Sequence, residues 1–264
     1  MTNALLANEA TLRLAVFAGL FAVLAVSQRV RPRRRVASST GRMVTNLSLV
    51  VIDTLVLRLA FPLLAFDLAL QLEDRHYGLN AVPAWLGVPL AIVLLDFSIY
   101  WQHRLMHVVP WLWRLHRAHH ADTGFDVTTA VRFHPVEIAV SMGIKLALIA
   151  LLGAPAVAVL LFEVLLNASS LFNHANLDLG RLDGALRRLI VTPDMHRIHH
   201  SVHEDETRHN FGFALSIWDR LFGSYRDAPR DGHTDMTIGL PAFRDARAQS
   251  LLGILLNPLA REPR

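Results

Sequence analysis

Five apolar runs, at about 5–26, 44–70, 82–102, 136–152 and 155–172, decide what this chain can become. They are longer than an ordinary core helix needs and approach the roughly 20 residues that carry a helix through a hydrocarbon layer. No water is available inside such a layer, so each backbone N–H and C=O must be satisfied within its own segment, and continuous apolar runs meet that demand as helices. A charged fraction of 18% against 53% hydrophobic residues agrees with this reading. The chain is therefore expected to be all-α, an integral-membrane helical bundle. The last two runs are short for full crossings, and Gly153-Ala154-Pro155 breaks tightly between them. Pattern alone does not separate five spans from four, or from two plus a re-entrant hairpin.

Charge supplies an orientation. Lys145 is the sole lysine, and six arginines, Arg29, Arg31, Arg33, Arg34, Arg35 and Arg42, lie between the first two runs. Such a cluster also suits nucleic acid, but between two apolar segments it reads as a juxtamembrane flank, and no nucleic-acid partner is expected. The positive residues follow the first run more than they precede it and no clear cleavage site intervenes, so that run is expected to be a retained span. With the arginine loop in the cytoplasm, Glu73-Asp74-Arg75 falls outside and 103–134 returns to the cytoplasm. If 136–172 is a hairpin, the segment from 173 onward is cytoplasmic too, and every histidine except His76 shares one side. The expectation is a cytoplasmic, histidine-rich helical cap on the bundle.

The chain has no cysteine, so a redox metal must sit on nitrogen and oxygen ligands. Three histidine clusters offer them: His103 with His107; His116, His119 and His120; and His196, His199 and His200. On helices, spacings of i, i+3 and i+4 place each set on one face, aimed at a common point. A single histidine here is more simply an interfacial residue with its hydrogen bonds met; the repeated H-x-x-H-H pattern is what points to metal. Eight imidazoles exceed the four ligands of a tetrahedral zinc site and suit two neighbouring metals of higher coordination number, of which iron brings redox chemistry. The alternative from another class is a membrane histidine-rich metal-binding or transport protein, which would spread histidines through the spans and toward both faces. A dizinc lipid hydrolase would call for carboxylate ligands and a water-exposed substrate.

The words around the histidines carry a resemblance. D-F-S-I-Y-W-Q-H-R at 96–104, L-W-R-L-H-R-A-H-H at 112–120, V-R-F-H-P-V-E at 131–137, F-N-H-A-N at 172–176, T-P-D-M-H-R-I-H-H at 192–200 and N-F-G-F-A-L-S-I-W-D-R-L-F-G-S-Y at 210–225 occur in order over about residues 90–226. The chain resembles the fatty acid hydroxylase and sterol desaturase superfamily of integral-membrane non-haem diiron enzymes. The resemblance implies oxygen-dependent hydroxylation or desaturation of a lipid C–H bond at two iron ions, with dioxygen as cosubstrate. It carries the ligand role to His103, His107, His116, His119, His120, His196, His199 and His200, and adds His174 of the F-x-H motif. Some relatives have a further histidine four residues on, where this chain has Asp178; either Asp178 supplies an oxygen ligand or that metal keeps an open position. No flavin or dinucleotide fingerprint is evident, so electrons are expected from a separate reductase, ferredoxin or cytochrome. Three segments are expected: an N-terminal transmembrane region at 1–81, a catalytic region at 82–226 and a cytoplasmic or membrane-surface tail at 227–264. Fatty acyl, sterol, ether-lipid and carotenoid-like substrates all stay open, as does the oligomeric state.

Further residues are expected beside the metals. Asp96, at the end of a span, is expected to accept a hydrogen bond from a ligand histidine or an arginine, or else to be a simple interfacial aspartate. Tyr100 continues its helical face toward His103 and is expected, with Glu163 and Asn167, at a substrate pocket. Glu163, Asn167, His174 and Asp178 form a stripe along the fifth segment, expected to line a substrate pocket or to pack against Asp53, Arg58 or Asp67. His134 precedes Pro135 at a helix start, with Glu137 in the first turn, and is expected to orient or to bind metal. His203 and His209 are expected near the third cluster, His76 and His233 at the surface. Trp218, Phe222 and Tyr225 are expected to form an aromatic plug at the membrane interface.

Overall fold

The computed structural model describes residues 8–35 and 40–261. Residues 5–7 of the first expected run, 36–39 of the arginine loop and 262–264 of the tail lie outside the described residues. The long helices are α1 (Glu9–Val30), α2 (Thr40–Ala60), α4 (Ala84–Val108), α6 (Pro135–Leu152) and α7 (Ala156–Asn173), with α3 (Ala65–Leu72) continuing α2 after a break. The histidine-rich helix α5 (Pro110–His120) follows α4 after one residue. Beyond α7 come the short helices α8 (Leu182–Leu186), α9 (Pro193–His199), α10 (Glu204–Thr207), α11 (Ile217–Leu221), α12 (Gly232–Asp235) and α13 (Leu251–Leu256). Among the described residues five helical segments are long and apolar enough to cross a membrane, which indicates a multi-pass membrane protein.

Two boundaries differ from expectation. The second run is not one helix, because Pro62 lacks an N–H and disfavours the helical conformation of the residue before it; α2 stops at Ala60. The third run does not end at Gln102: α4 continues to Val108, so His103 and His107 sit on its last two turns. At 1.5 Å per residue α4 is about 37 Å long against about 27 Å for α6 and α7, and the first histidine pair sits on its extra length.

At the end away from the histidines, the α6–α7 turn locks onto the α3–α4 connection. Gly153, at φ 56°, caps α6 in the left-handed region, and its backbone lies so close to Tyr77 O that a Cβ there would collide. Asn80 N donates to Gly153 O at 2.8 Å and Ala156 N to Glu73 Oε1 at 3.1 Å, so this turn sits level with the α3–α4 connection. The core between α3, α4, α6 and α7 is filled by Phe66, Ala91, Leu95, Ile149, Val159 and Phe162. Leu59, Trp85 and Leu151 project from the outside, 77% or more exposed, as side chains facing lipid do.

The arginine loop does more than flank a bilayer. Arg33 donates to Asp194 at 3.0 Å and Arg34 to Met236 O at 2.6 Å. Arg42 is buried, bonded to Asp122 at 2.5 Å, Asp126 at 2.5 Å and Thr129 at 2.8 Å. Three of the six arginines thus point inward and fasten the first two helices to the histidine-bearing end. The tail closes over the same region: Arg117 on α5 donates to Asn257 Oδ1 at 2.8 Å, and Gln249 Nε2 to Ala121 O at 2.6 Å.

Candidate metal centre

Nine histidines converge, seven from the helices α4, α5 and α9 and two, His174 and His200, from the ends of α7 and α9. One group comprises His103, His107, His116, His120 and His199; the other comprises His119, His174, His196 and His200. Within each group the candidate ligand atoms lie within 4.8 Å of one another. The H-x-x-H-H spacing does not aim each cluster at one point, as expected from sequence. It divides each cluster: His116 and His120 turn to the first group and His119 to the second, whereas His196 and His200 turn to the second group and His199 to the first.

Five rings are fixed through Nδ1. His103 Nδ1 donates to Phe211 O at 2.8 Å, His116 Nδ1 to Glu137 Oε1 at 2.7 Å, and His119 Nδ1 to Arg132 O at 3.0 Å. His174 Nδ1 donates to Ser170 O and His199 Nδ1 to His209 O, both at 2.8 Å. These acceptors have no proton to give, so Nδ1 carries the hydrogen and Nε2 is left with a bare lone pair. The Nε2 atoms of His107, His116, His120 and His199 are buried without a hydrogen-bond partner among the described residues.

In the second group the rings face each other. His174 Nε2 and His119 Nε2 are 3.2 Å apart although both rings spend their hydrogens at Nδ1, so neither can donate to the other. Burial also keeps the rings neutral: it lowers the His174 imidazole to about 4 and that of His199 to about 3, and drives His119, His120, His196 and His200 well below the ordinary value, with the neighbouring imidazoles adding to the effect. Two lone pairs face to face repel unless a cation lies between them. Nitrogens about 2.1 Å from one cation stand roughly 3.0 Å apart at right angles and roughly 3.4 Å apart at a tetrahedral angle, which brackets the observed spacing. The donor set fits two metal ions of the kind that prefer imidazole, with five and four nitrogens on offer.

Aromatic rings wall the groups. Phe133 stacks on His119 with centroids 4.5 Å apart, Phe125 lies 5.3 Å from His200, and Trp113 lies 5.1 Å from His107. A cavity of about 320 Å³ reaches both groups, at His103 and His116 and at His119 and His196, and runs between α1, α2, α4, α6 and α7. A second cleft, of about 480 Å³, reaches His107 past Trp113, Pro110 and Phe243.

Other residues singled out from sequence are placed differently. Asp178 lies beyond α7, which ends at Asn173, and accepts from Gly180 N at 2.9 Å; it belongs to neither group, and the expected stripe is broken before reaching it. Asp96 touches no ligand histidine but accepts from Ala214 N, Leu215 N and Trp218 Nε1 at 3.3, 3.2 and 2.8 Å, holding the turn that leads into α11. Tyr100 bonds to Ser224 Oγ at 2.8 Å and stacks on Phe222 instead of lining the cavity. His134 caps α6 through Nδ1 and donates through Nε2 to Leu255 O at 3.1 Å, so both nitrogens are used. His203 pairs with Asp231 at 2.7 Å, and His209 contributes its carbonyl to His199 while its own ring turns to Asp205 O. His233 is half-buried, 3.7 Å from Asp194. Glu163 and Asn167 do line the cavity, with Glu163 paired to Lys145 and Arg13 and not to Asp53, Arg58 or Asp67.

Sequence reasoning placed Glu137 in a helix's first turn and missed its bond to His116. It also missed Asp219, which accepts from Phe211 N at 2.8 Å and Gly212 N at 2.7 Å and so aims the Phe211 carbonyl that holds His103; burial raises its carboxyl to about 6. Both lie inside the quoted motifs, which was the available signal.

The family model described as "Fatty acid hydroxylase" matches residues 88–224. The chain is 32% identical over 189 residues to an ornithine lipid hydroxylase of Rhizobium tropici, covering 72% of this chain and 55% of that protein. It is 31% identical over 143 residues to the alkylglycerol monooxygenase of Homo sapiens, covering 54% of this chain and 29% of that protein. A Delta(7)-sterol 5(6)-desaturase of Aspergillus fumigatus is 28% identical over 150 residues, covering 56% of this chain and 41% of that protein. The chain thus spans about half the length, or less, of these curated relatives. No solved structure matches. With a family match across more than half of its length, laid over the helices that gather the histidines, the chain belongs to the fatty acid hydroxylase and sterol desaturase family.

Proposed function

We propose that this protein is a membrane oxidoreductase that hydroxylates or desaturates a lipid at a C–H bond, using two iron ions held by His103, His107, His116, His120 and His199 on one side and His119, His174, His196 and His200 on the other. The observation that carries this reading is the pair of bare, buried Nε2 atoms of His119 and His174 at 3.2 Å, which calls for a cation. Bound irons would supply the power to activate dioxygen and take a hydrogen from an unactivated carbon. The chain's own share is positional. Glu137 and the carbonyls of Phe211, Arg132, Ser170 and His209 hold five ring hydrogens at Nδ1 and thereby fix which nitrogen each ring presents. Phe125, Phe133 and Phe211 exclude water, and the cavity between the spans admits a lipid to both groups.

Electrons come, in this reading, from a separate reductase, ferredoxin or cytochrome. Segment 82–226 carries the chemistry, and the histidine end faces the cytoplasm, as the arginine bias supports. The named relatives act on an ornithine lipid, an alkylglycerol and a sterol, which favours a lipid substrate. Gathering all nine imidazoles at one end of the bundle does not suit a translocation path. The test is mass analysis of lipids from membranes with the active protein and with His119→Ala. A lipid that gains one oxygen or loses two hydrogens only with the active protein is expected; identical lipid profiles under aerobic, reducing conditions would overturn the reading.

A further inference from the structure

The cavity between the spans is not a plain hydrocarbon slot. Besides the histidines, five ionisable side chains, Arg13, Asp53, Glu137, Lys145 and Glu163, line it together with apolar walls that include Phe17, Leu57, Met142 and Leu166. Four of the five have partners: Glu163 pairs with Lys145 at 2.9 Å and Arg13 at 3.2 Å, Arg13 also meets Glu9 at 3.1 Å, and Glu137 holds His116. Asp53 differs. It is 9% exposed, and its Oδ1 is buried with no hydrogen-bond partner among the described residues. No ion pair to Asp53 is present among them either, although it sits on a membrane-spanning helix.

A carboxylate in this setting is costly unless something compensates it. The cations lining the cavity are already committed to Glu163, so Asp53 keeps its proton when the space is empty and, once ionised, needs a positive charge from whatever occupies the space. An alkyl chain offers no donor, an ester or ether oxygen offers a second acceptor where one already stands uncompensated, and a hydroxyl offers a donor without charge. A protonated amine offers both positive charge and N–H donors. The apolar residues beside Asp53 then accommodate the attached chain.

We propose that the cavity binds its lipid through a protonated amine seated on Asp53, so that the substrate class is an amine-bearing lipid. This deepens the oxidoreductase reading and rests on it for the identity of the ligand as substrate. The test is binding, read without turnover, by native mass spectrometry of the metal-loaded full chain. The probes are hexadecylamine and its N-acetyl derivative, which share a chain and differ in charge. The parent protein is expected to favour the amine roughly tenfold or more. Asp53→Asn is expected to bring the ratio close to one while metal content stays the same, and Asp53→Glu to keep most of the preference. A parent ratio near one overturns the proposal whatever the variants do, and so does an undiminished ratio in Asp53→Asn. If the amine preference holds but no lipid is oxidised, the oxidoreductase reading fails and amine recognition stands.

Discussion

The two histidine groups share helices α5 and α9 and differ in what the remaining helix gives each of them. The group of five draws His103 and His107 from the long helix α4, and the group of four draws His174 alone from the end of α7. The H-x-x-H-H repeat is thus a dividing device: its i, i+4 pair serves one group and the histidine between them serves the other, so two short helices join two sites. The groups differ in reserve as well, since the first can lose one nitrogen and still offer four, while the second falls to three.

The largest expected effect follows from that difference. His119→Ala should empty the four-nitrogen site, leaving about one metal per chain, and should cost more than the roughly 10- to 100-fold that loss of an outer partner costs. His107→Ala should keep metal in both sites with a smaller loss of lipid oxidation, as read by metal analysis and product formation. Equal metal loss in both variants would break the comparison.

The next effect concerns what fixes the rings. In the group of five, His116 depends on a side chain, Glu137; in the group of four, His119 and His174 depend on the backbone carbonyls of Arg132 and Ser170. Glu137→Ala should lower metal affinity about 10- to 100-fold at the five-nitrogen site alone, with Glu137→Gln milder because its oxygen still accepts.

A third, smaller effect is in pH. Burial depresses His174 to about 4 and His199 to about 3, so below about 6.5 the unfolded chain binds protons that the folded metal-free chain refuses. Their contribution to stability is complete above that value and is lost as pH falls through 4 and then 3. Melting of the metal-free protein should therefore move to lower temperature between pH 7 and pH 5, with a shallower slope in His174→Asn. Smallest is Asp96→Asn: its three N–H partners belong to the 214–218 turn, so a loss of about 1–3 kcal/mol in stability is expected with metal content unchanged.

The sequence reported what depends on residue type and helical spacing. Eight imidazoles at i, i+3 and i+4 in a chain without cysteine point to metal wherever they fold, His174 came only with the resemblance, and apolar runs report spans because each must satisfy its own backbone. What depends on distant segments meeting was hidden. Glu137 looked like a helix-start charge because its partner His116 lies on another helix, and the carbonyls of Phe211, Arg132 and His209 leave no mark in side-chain identity. Asp178 was drawn into a stripe by assuming that α7 continues, whereas the chain leaves the helix at His174. Pro62 is a breaker visible inside the second apolar run, and it divides that run into α2 and α3.

The most direct test of the central claim, two all-imidazole metal sites sharing α5 and α9, is the metal count of the full chain purified anaerobically after growth with iron. Two irons per chain in the parent and one in His119→Ala are the predicted values. One iron or fewer in the parent, or a parent count unchanged in His119→Ala, would contradict the account.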